Sequence, residues 1–369
     1  MGRRDEEKRK RRQKRLEHSQ RRAQGPSLRR VLTELKGALE VPSPARWPGA
    51  SEPALERPDD VKFELTEFLT RREPGKSKLE QLENRFLKGP LSYLPEIDHW
   101  AMEEFFYHGL PGDSWHPIEA FLAHEGDRFI PAGQEQLRRW KEARVGLFVL
   151  GAVRDDMVDL QEWDVLTETA VGPPLRAIAL NVGGVNAYRG QQGKLTVCYL
   201  APWAPEQGIS CAMGYGLTMG QRDAGTLAPF LGLRHPEIVA HAWPWNTNRS
   251  ARQTYLRQWE ARDWQGWLRD RLEFPFHAVV PLPPSGQRMA VKLVTGLVPS
   301  SPAQARQFGI YLEIPMGEGT EMMISGATNI KLCDLTSPNL EPLTEYQTYR
   351  EWAGPPPGTV GEPRFRTIE

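Results

Sequence analysis

IEAFLAHEGDRFIPAGQEQLRRWKEARVGLFVLGAVRDDMVDLQEW, residues 118–163, changes its hydrophobic period part-way along. Apolar residues recur at helical steps up to about Glu142, and from Leu147 through Val149, Val153 and Val158 they alternate. Period 3.6 belongs to a helix with one buried face and period 2 to a strand, so strands begin there. Short apolar runs continue at LRAIALNV (175–182), KLTVCYLAPW (194–203) and ISCAMGYG (209–216), separated by Pro173-Pro174, Gly183-Gly184, Gly190 and Gly193. That cadence of strands and breakers predicts a small antiparallel barrel.

Upstream, Val61, Phe63, Leu65, Phe68 and Leu69, then Leu79, Leu82, Phe86 and Leu87, fall mostly at steps of three and four and predict a helical layer. In IDHWAMEEFFYHG (97–109), Glu104 and His108 stand four apart on one helix face, with Asp98 or His99 a turn earlier. Such a trio suits a metal. The stripe of Ile97, Trp100, Ala101 and Phe105, closed by Gly109, accounts for the same segment as a packed helix, which is the reading adopted.

Downstream, Trp243, Trp245, Trp259, Trp264 and Trp267 fall within 25 residues, five of the twelve tryptophans in the chain. Tyr255, Leu256, Trp259, Asp263, Trp267 and Leu268 follow helical steps, with Asn248 or Ser250 placed to cap the start, so Trp259 and Trp267 are expected in a core. Trp243 and Trp245 flank Pro244 outside that helix, and an exposed aromatic pair stays open there. Next come RLEFPFHAVVPLPPSG, RMAVKLVTGLVP, FGIYLEIP, EMMISGATN and IKLCDL, and then EYQTYREW, which reads as four or five strands and a closing helix.

At 369 residues the chain exceeds the ~250–300 residues that one core serves, so two or more folding units are expected. The 39% hydrophobic content excludes disorder throughout. No run approaches the ~18 apolar residues of a membrane span, and MGRRDEEKRKRRQKR has no apolar segment for export. With three cysteines, Cys198, Cys211 and Cys333, and no C-x-x-C pair, a reducing compartment follows, and the expected location is the cytoplasm without membrane contact.

Net charge is zero, yet residues 1–30 hold 13 Lys/Arg against 4 Asp/Glu, which leaves 34 against 43 in the remainder. An arm at +9 faces a body at −9. Arg3, Arg4, Lys8, Arg9, Lys10, Arg11, Arg12, Lys14 and Arg15 carry no interleaved aromatic ring, so this arm is a candidate for nucleic acid or ribosome through phosphate contact without base selection. A solvated charged helix that keeps the protein soluble, or one that folds back on the acidic body, is the alternative. The expected organisation is a basic helical or disordered arm (1–27), a short helix and Pro-rich linker (28–58), a helical layer with the central barrel (60–240), a helix-barrel-helix unit (246–353) and a disordered tail (354–369).

Two resemblances attach to these features. Residues 96–225, with a helix ending in FL, a helix carrying Leu137, Trp140 and Arg144, then LFVLGAV and a compact sheet, resemble the region beside the zinc motif in bacterial SEC-C-type proteins. The cysteine motif is missing, so that metal site is not carried over. Trp267 to His277, Val291 to Leu297, Gly309 to Ile314 and Leu343 to Trp352 resemble the CcbP-like small calcium-binding protein family. Together the resemblances imply an α+β fold with two small antiparallel SH3-like barrels or sheets, each with packed helices. The second also implies calcium, for which Asp270, Glu273, Glu313 and Asp334, with Glu318 and Glu321 nearby, would have to converge, because Ca²⁺ takes six to eight oxygens. The segment PSSPAQARQ (299–307), acidic in that family, has no carboxylate here.

Catalytic patterns are weak. Gly214, Gly216 and Gly220 miss the dinucleotide spacing by one residue, and neither a phosphate loop nor a G-x-S-x-G elbow occurs. Cys198 and Cys211 sit in apolar runs, and His235 and His241 stand six apart with Glu237 between them. The expectation is a non-enzymatic protein without a cofactor, acting on nucleic acid, ribosome or a protein partner; the alternative is a calcium-binding protein.

Overall fold

The structure is a computed structural model, and it describes residues 58–94, 96–154, 157–180, 184–204, 208–213, 217–283, 288–316, 321–354 and 364–367. The basic arm, the short helix and nearly all of the linker lie outside the described residues, as do Gly214, Gly216 and Glu318.

Among the described residues five α-helices precede the first strand: α1 (Pro58–Arg71), α2 (Gly75–Lys88), α3 (Ile97–His108), α4 (Pro117–Glu125) and α5 (Pro131–Arg139). Helix α1 opens on Pro58, Asp59 and Asp60 and closes on Arg71, an order that suits the helix dipole. It buries Val61, Leu65, Phe68 and Leu69, one stripe at steps of three and four. Helix α3 is enclosed: eight of its twelve residues are buried, Glu103 and Glu104 among them, and Gly109 ends it at φ 71°, a left-handed conformation natural to glycine.

The change of period falls where the sequence places it. A 3-10 turn at Trp140–Glu142 leads into β1 (Arg144–Arg154), followed by β2 (Met157–Asp164), β3 (Thr169–Ala179), β4 (Leu195–Ala204), β5 (Ile209–Met213) and β6 (Thr218–Met219). The order is β1-β2-β3-β5-β4, and β4 returns to β1 through Arg144↔Leu200 to Val149↔Leu195, which closes a five-stranded barrel with β6 as an appendage. The barrel departs from the expected antiparallel arrangement at one seam, because β3 and β5 run parallel through Arg176↔Ile209 to Ala179↔Ala212. Alternation is the same in parallel and antiparallel strands, so the pattern could not distinguish them.

Phe148, Leu150, Val158, Leu160, Cys198 and Leu200 fill the barrel interior, plugged by Val185 and Tyr188. The opposite faces of β1, β4 and β5 carry Val145, Leu147, Val197, Tyr199, Cys211 and Met213, which join the helical layer. Strand β4 therefore buries nine of its ten residues. A strand covered on both sides reads as an unbroken apolar run, which explains KLTVCYLAPW.

After α6 (Pro236–Ala240) come α7 (Arg249–Glu260) and α8 (Trp264–Arg269), then β7 (Phe276–Leu282), β8 (Arg288–Val294), β9 (Gly296–Leu297), α9 (Pro302–Phe308), β10 (Tyr311–Pro315), β11 (Glu321–Gly326), β12 (Lys331–Leu332), α10 (Leu340–Ala353) and β13 (Arg364–Thr367). Asn248, not Ser250, caps α7, accepting from Ala251 N–H at 2.8 Å. The strands make two small antiparallel sheets, β12-β7-β8 and β13-β11-β10-β9. One bent segment, residues 288–297, serves both: Thr295 N–H donates to Glu313 O at 3.0 Å just past β8. Two expectations are corrected. Residues 302–307 of the loop expected at 299–307 belong to α9, held by a capping box between Ser301 and Gln304, and residues 364–367 of the expected tail pair with the outer edge of β11.

Among the described residues no strand joins the barrel to the later sheets, yet the buried apolar side chains of both halves form one continuous body. Trp243 N–H donates to Lys88 O at 3.3 Å, and Lys331, whose pKa burial lowers, sets its ammonium 4.1 Å from the centre of the Tyr93 ring. Backbone meets backbone at Gly225, where a Cβ would lie 2.9 Å from the Ala290 backbone. None of the described helices is long and apolar enough to cross a membrane. Substituting Gly225→Ala should cost about 1–3 kcal/mol, since backbone has little room to yield. Thermal unfolding should show a midpoint several degrees lower, and an unchanged midpoint would mean that this seam does not close as described.

Candidate functional site

Two constellations stand out, one buried in the helical layer and one on the surface of the second half. In the first, Glu104 on α3 accepts from Tyr199 OH on β4 at 2.8 Å and lies 2.9 Å from His108 Nδ1. That second contact is an ion pair set off the line of a good hydrogen bond, since both atoms lack a partner of proper direction. The other ring nitrogen of His108, Nε2, sits 2.8 Å from the Ala143 carbonyl. A carbonyl only accepts, so Nε2 carries a proton. Burial alone lowers the His108 pKa, but the Glu104 carboxylate, aided by the Ala143 carbonyl, reverses this and raises it.

The same carboxylate-rich helix holds Glu103, whose Oε1 is 2.6 Å from Lys62 Nζ on α1. Tyr107 donates to Met213 Sδ, and burial followed by the Glu103 charge raises its pKa far above the ordinary tyrosine value. Tyr199 is raised likewise by burial and then by Glu104. His116 is held neutral, its Nε2 donating to Tyr107 O at 3.0 Å and its Nδ1 accepting from Ile118 N–H at 3.2 Å, and burial lowers its pKa. The cluster has the composition of an acid-base site, but both ring nitrogens of His116 are committed inside the protein, and His108 has Nε2 on the Ala143 carbonyl and Nδ1 against Glu104. It fastens α3 to the start of β1 and to β4. Glu104 and His108 do share a face, as their spacing predicts, and they meet each other, not a third ligand.

The residues proposed for calcium lie apart. Asp270 is exposed beside Arg269, 3.7 Å away. Glu273 is exposed, and the Asn339 side chain bridges its backbone N–H and C=O at 2.7 and 2.8 Å. Glu313 stands on β10 opposite Ile324 and Gly296. Asp334 closes a local turn, accepting from Thr336 N–H at 2.8 Å and Oγ1 at 2.6 Å. Among the described residues no three His, Cys, Asp or Glu side chains gather into a metal-holding group. His235 pairs with Glu237 at 3.1 Å, and His241 packs edge-on against Trp243.

The surface constellation was not apparent from spacing. Trp243 and Trp245 are buried and stack at 5.1 Å, so no exposed aromatic pair forms. Trp259, fully buried, lies 5.7 Å from Trp245 and 5.2 Å from Trp352, and its indole N–H donates to Glu345 Oε1 at 2.5 Å. The same oxygen takes Arg262 Nη1 at 2.8 Å. From this anchor the aromatic layer reaches the surface under arginines: Arg262 lies 4.4 Å over Trp267, Arg271 4.4 Å over Trp267, and Arg252 4.3 Å over Trp352. A guanidinium laid on an indole is held in place while keeping outward donors. Trp267, expected in the core, is thus a half-buried platform.

No family model, curated protein or solved structure matches this chain.

Two outcomes test this account. A group whose folded pKa is raised contributes stability below its unfolded value, 6.5 for histidine, and that contribution disappears as pH rises through the folded pKa. The native protein should therefore lose stability relative to His108→Gln as pH rises above the ordinary histidine range; parallel curves would remove the Glu104–His108 pair from the account. Cys198 and Cys333, with pKa pushed up to about 12 by burial, and Cys211, also raised well above the ordinary thiol value by burial, should resist a thiol reagent until denaturant is added. Rapid labelling of the folded protein would contradict their burial.

Proposed function

We propose that this chain is a non-enzymatic cytoplasmic protein that works by macromolecular contact, with two small barrel modules as scaffold and the arm of Arg3, Arg4, Lys8, Arg9, Lys10, Arg11, Arg12, Lys14 and Arg15 reaching nucleic acid or ribosome. The observation that carries this reading is the set of arginines laid over Trp267 and Trp352 at the surface of the second half. Side chains fixed in advance lose little entropy when they meet a partner, which is what a contact face requires. The helical layer gives no opposing sign, since its histidines are spent on internal partners.

The scaffold itself follows two recurring plans. Order β12-β7-β8, with the bent segment 288–297 passing into β9-β10-β11, supports an SH3-like module in the second half. The central barrel, with order β1-β2-β3-β5-β4 and one parallel seam, is better read as a five-stranded Greek-key barrel of the OB kind. In OB barrels the face of the second and third strands takes ligands; here β2 and β3 turn Asp159, Gln161, Pro173 and Arg176 outward, and their one tryptophan, Trp163, is buried. A protein partner suits that face better than stacked bases.

The test is binding of a fluorescent 30-nucleotide single strand by the full chain and by a chain lacking residues 1–30. Affinity should fall steeply with salt and ignore base order, and the deletion should cost at least tenfold at ~50 mM salt. Equal binding by the two chains would leave the arm without this role.

A further inference from the structure

We propose that the outward face of α7 is a second contact for nucleic acid, seating the phosphodiester backbone of a strand that the arm captures. The inference rests on the reading of a nucleic-acid-contacting protein and adds where on the folded body the strand lies.

Its first support is charge. Beyond residue 30 the chain carries nine more acids than bases, yet from Ile238 to Trp259 it has three arginines and no carboxylate. The second is exposure. Of the twelve residues of α7 only Trp259 is buried, so the helix adheres to the module by that one side chain, helped by Tyr255 and Leu256. Arg249, Arg252, Gln253, Arg257 and Gln258 are all exposed. These are the side-chain types that bond phosphate oxygens, and no acid interrupts them before Glu260.

The third support is geometry. Arg249, Gln253 and Arg257 follow at steps of four, which sets them in one row with about 6 Å of rise per step. Arg252 borders that row with its guanidinium fixed on Trp352. Arg249 and Arg257 enter no ion pair or hydrogen bond with the described residues, so their charges are free to neutralise a partner's. Since Arg252 covers Trp352, that ring offers no open face for a base. The contact is therefore to backbone and indifferent to sequence. An acidic protein segment is the competing occupant.

The experiment uses the full chain with arm intact, a 30-nucleotide single-stranded RNA, the matching DNA, and poly-glutamate as the competing polyanion. Each lost phosphate contact should lower the slope of log affinity against log salt by ~0.7 on a single strand. The double variant Arg249→Gln/Arg257→Gln should thus flatten the slope by about 1.4 on both nucleic acids. Arg189→Gln, an exposed arginine outside both contact faces, should leave it unchanged. Neither substitution removes a packed contact, and unchanged thermal midpoints would verify that.

A slope unaltered by the double variant overturns the proposal, as does an equal loss of poly-glutamate binding. The arm deletion separates the two readings. Loss on deleting residues 1–30 with none in the double variant leaves the arm standing and removes α7, and the reverse keeps α7 and removes the arm. No binding by the full chain at ~50 mM salt removes both.

Discussion

The barrel wall formed by β1, β4 and β5 is buried on both faces, and this constraint organises the rest of the molecule. Inside, Phe148, Cys198, Leu200 and Ala212 fill the barrel; outside, Leu147, Val197, Tyr199 and Met213 need a cover as apolar as themselves. Helix α3 supplies it, and so α3 must be buried on nearly all sides. Each such apolar side chain contributes about 1.5–3 kcal/mol when enclosed, enough to tolerate two carboxylates in the layer provided they find partners. They do, in Lys62, Tyr199 and His108.

How much of this was legible depends on whether the cause was local. The shift from helix to strand between Trp140 and Arg144 is written in the period of the residues, as are the stripe on α1 and the Asn248 cap. The capping box at Ser301 and Gln304, with Pro302 between them, is likewise local and lies within the segment 299–307, where it starts the helix α9. The parallel seam had no local signal, since Arg176 and Ile209 meet only because the intervening chain passes over the barrel.

The candidate surface was legible in composition but not in arrangement. Five tryptophans close together announce a core or a surface, and Trp259 is in the core as expected, but Trp243 and Trp245 are enclosed as well, while Trp267, like the later Trp352, approaches solvent. The difference comes from partners distant in the chain. Glu345 fixes Trp259 from 86 residues away, and Arg252 finds Trp352 across a gap of a hundred. The calcium candidates show the converse, for acids at suggestive positions in the chain do not gather in threes among the described residues.

The parallel seam also bears on how the chain is made. Seam β3–β5 and closure β4–β1 join segments some thirty to fifty residues apart, and such non-local pairings form slowly because loop entropy is lost before contacts are gained. A nascent chain that has emerged only as far as Ala204 has β1 to β4 available but not β5, so β3 and β4 each present an unpaired edge rich in Ile, Val and Leu. Open edges of that kind recruit other strands. Between the emergence of β4 and that of β5 these edges are open to other chains, and slow synthesis over that interval would act at the expense of native yield.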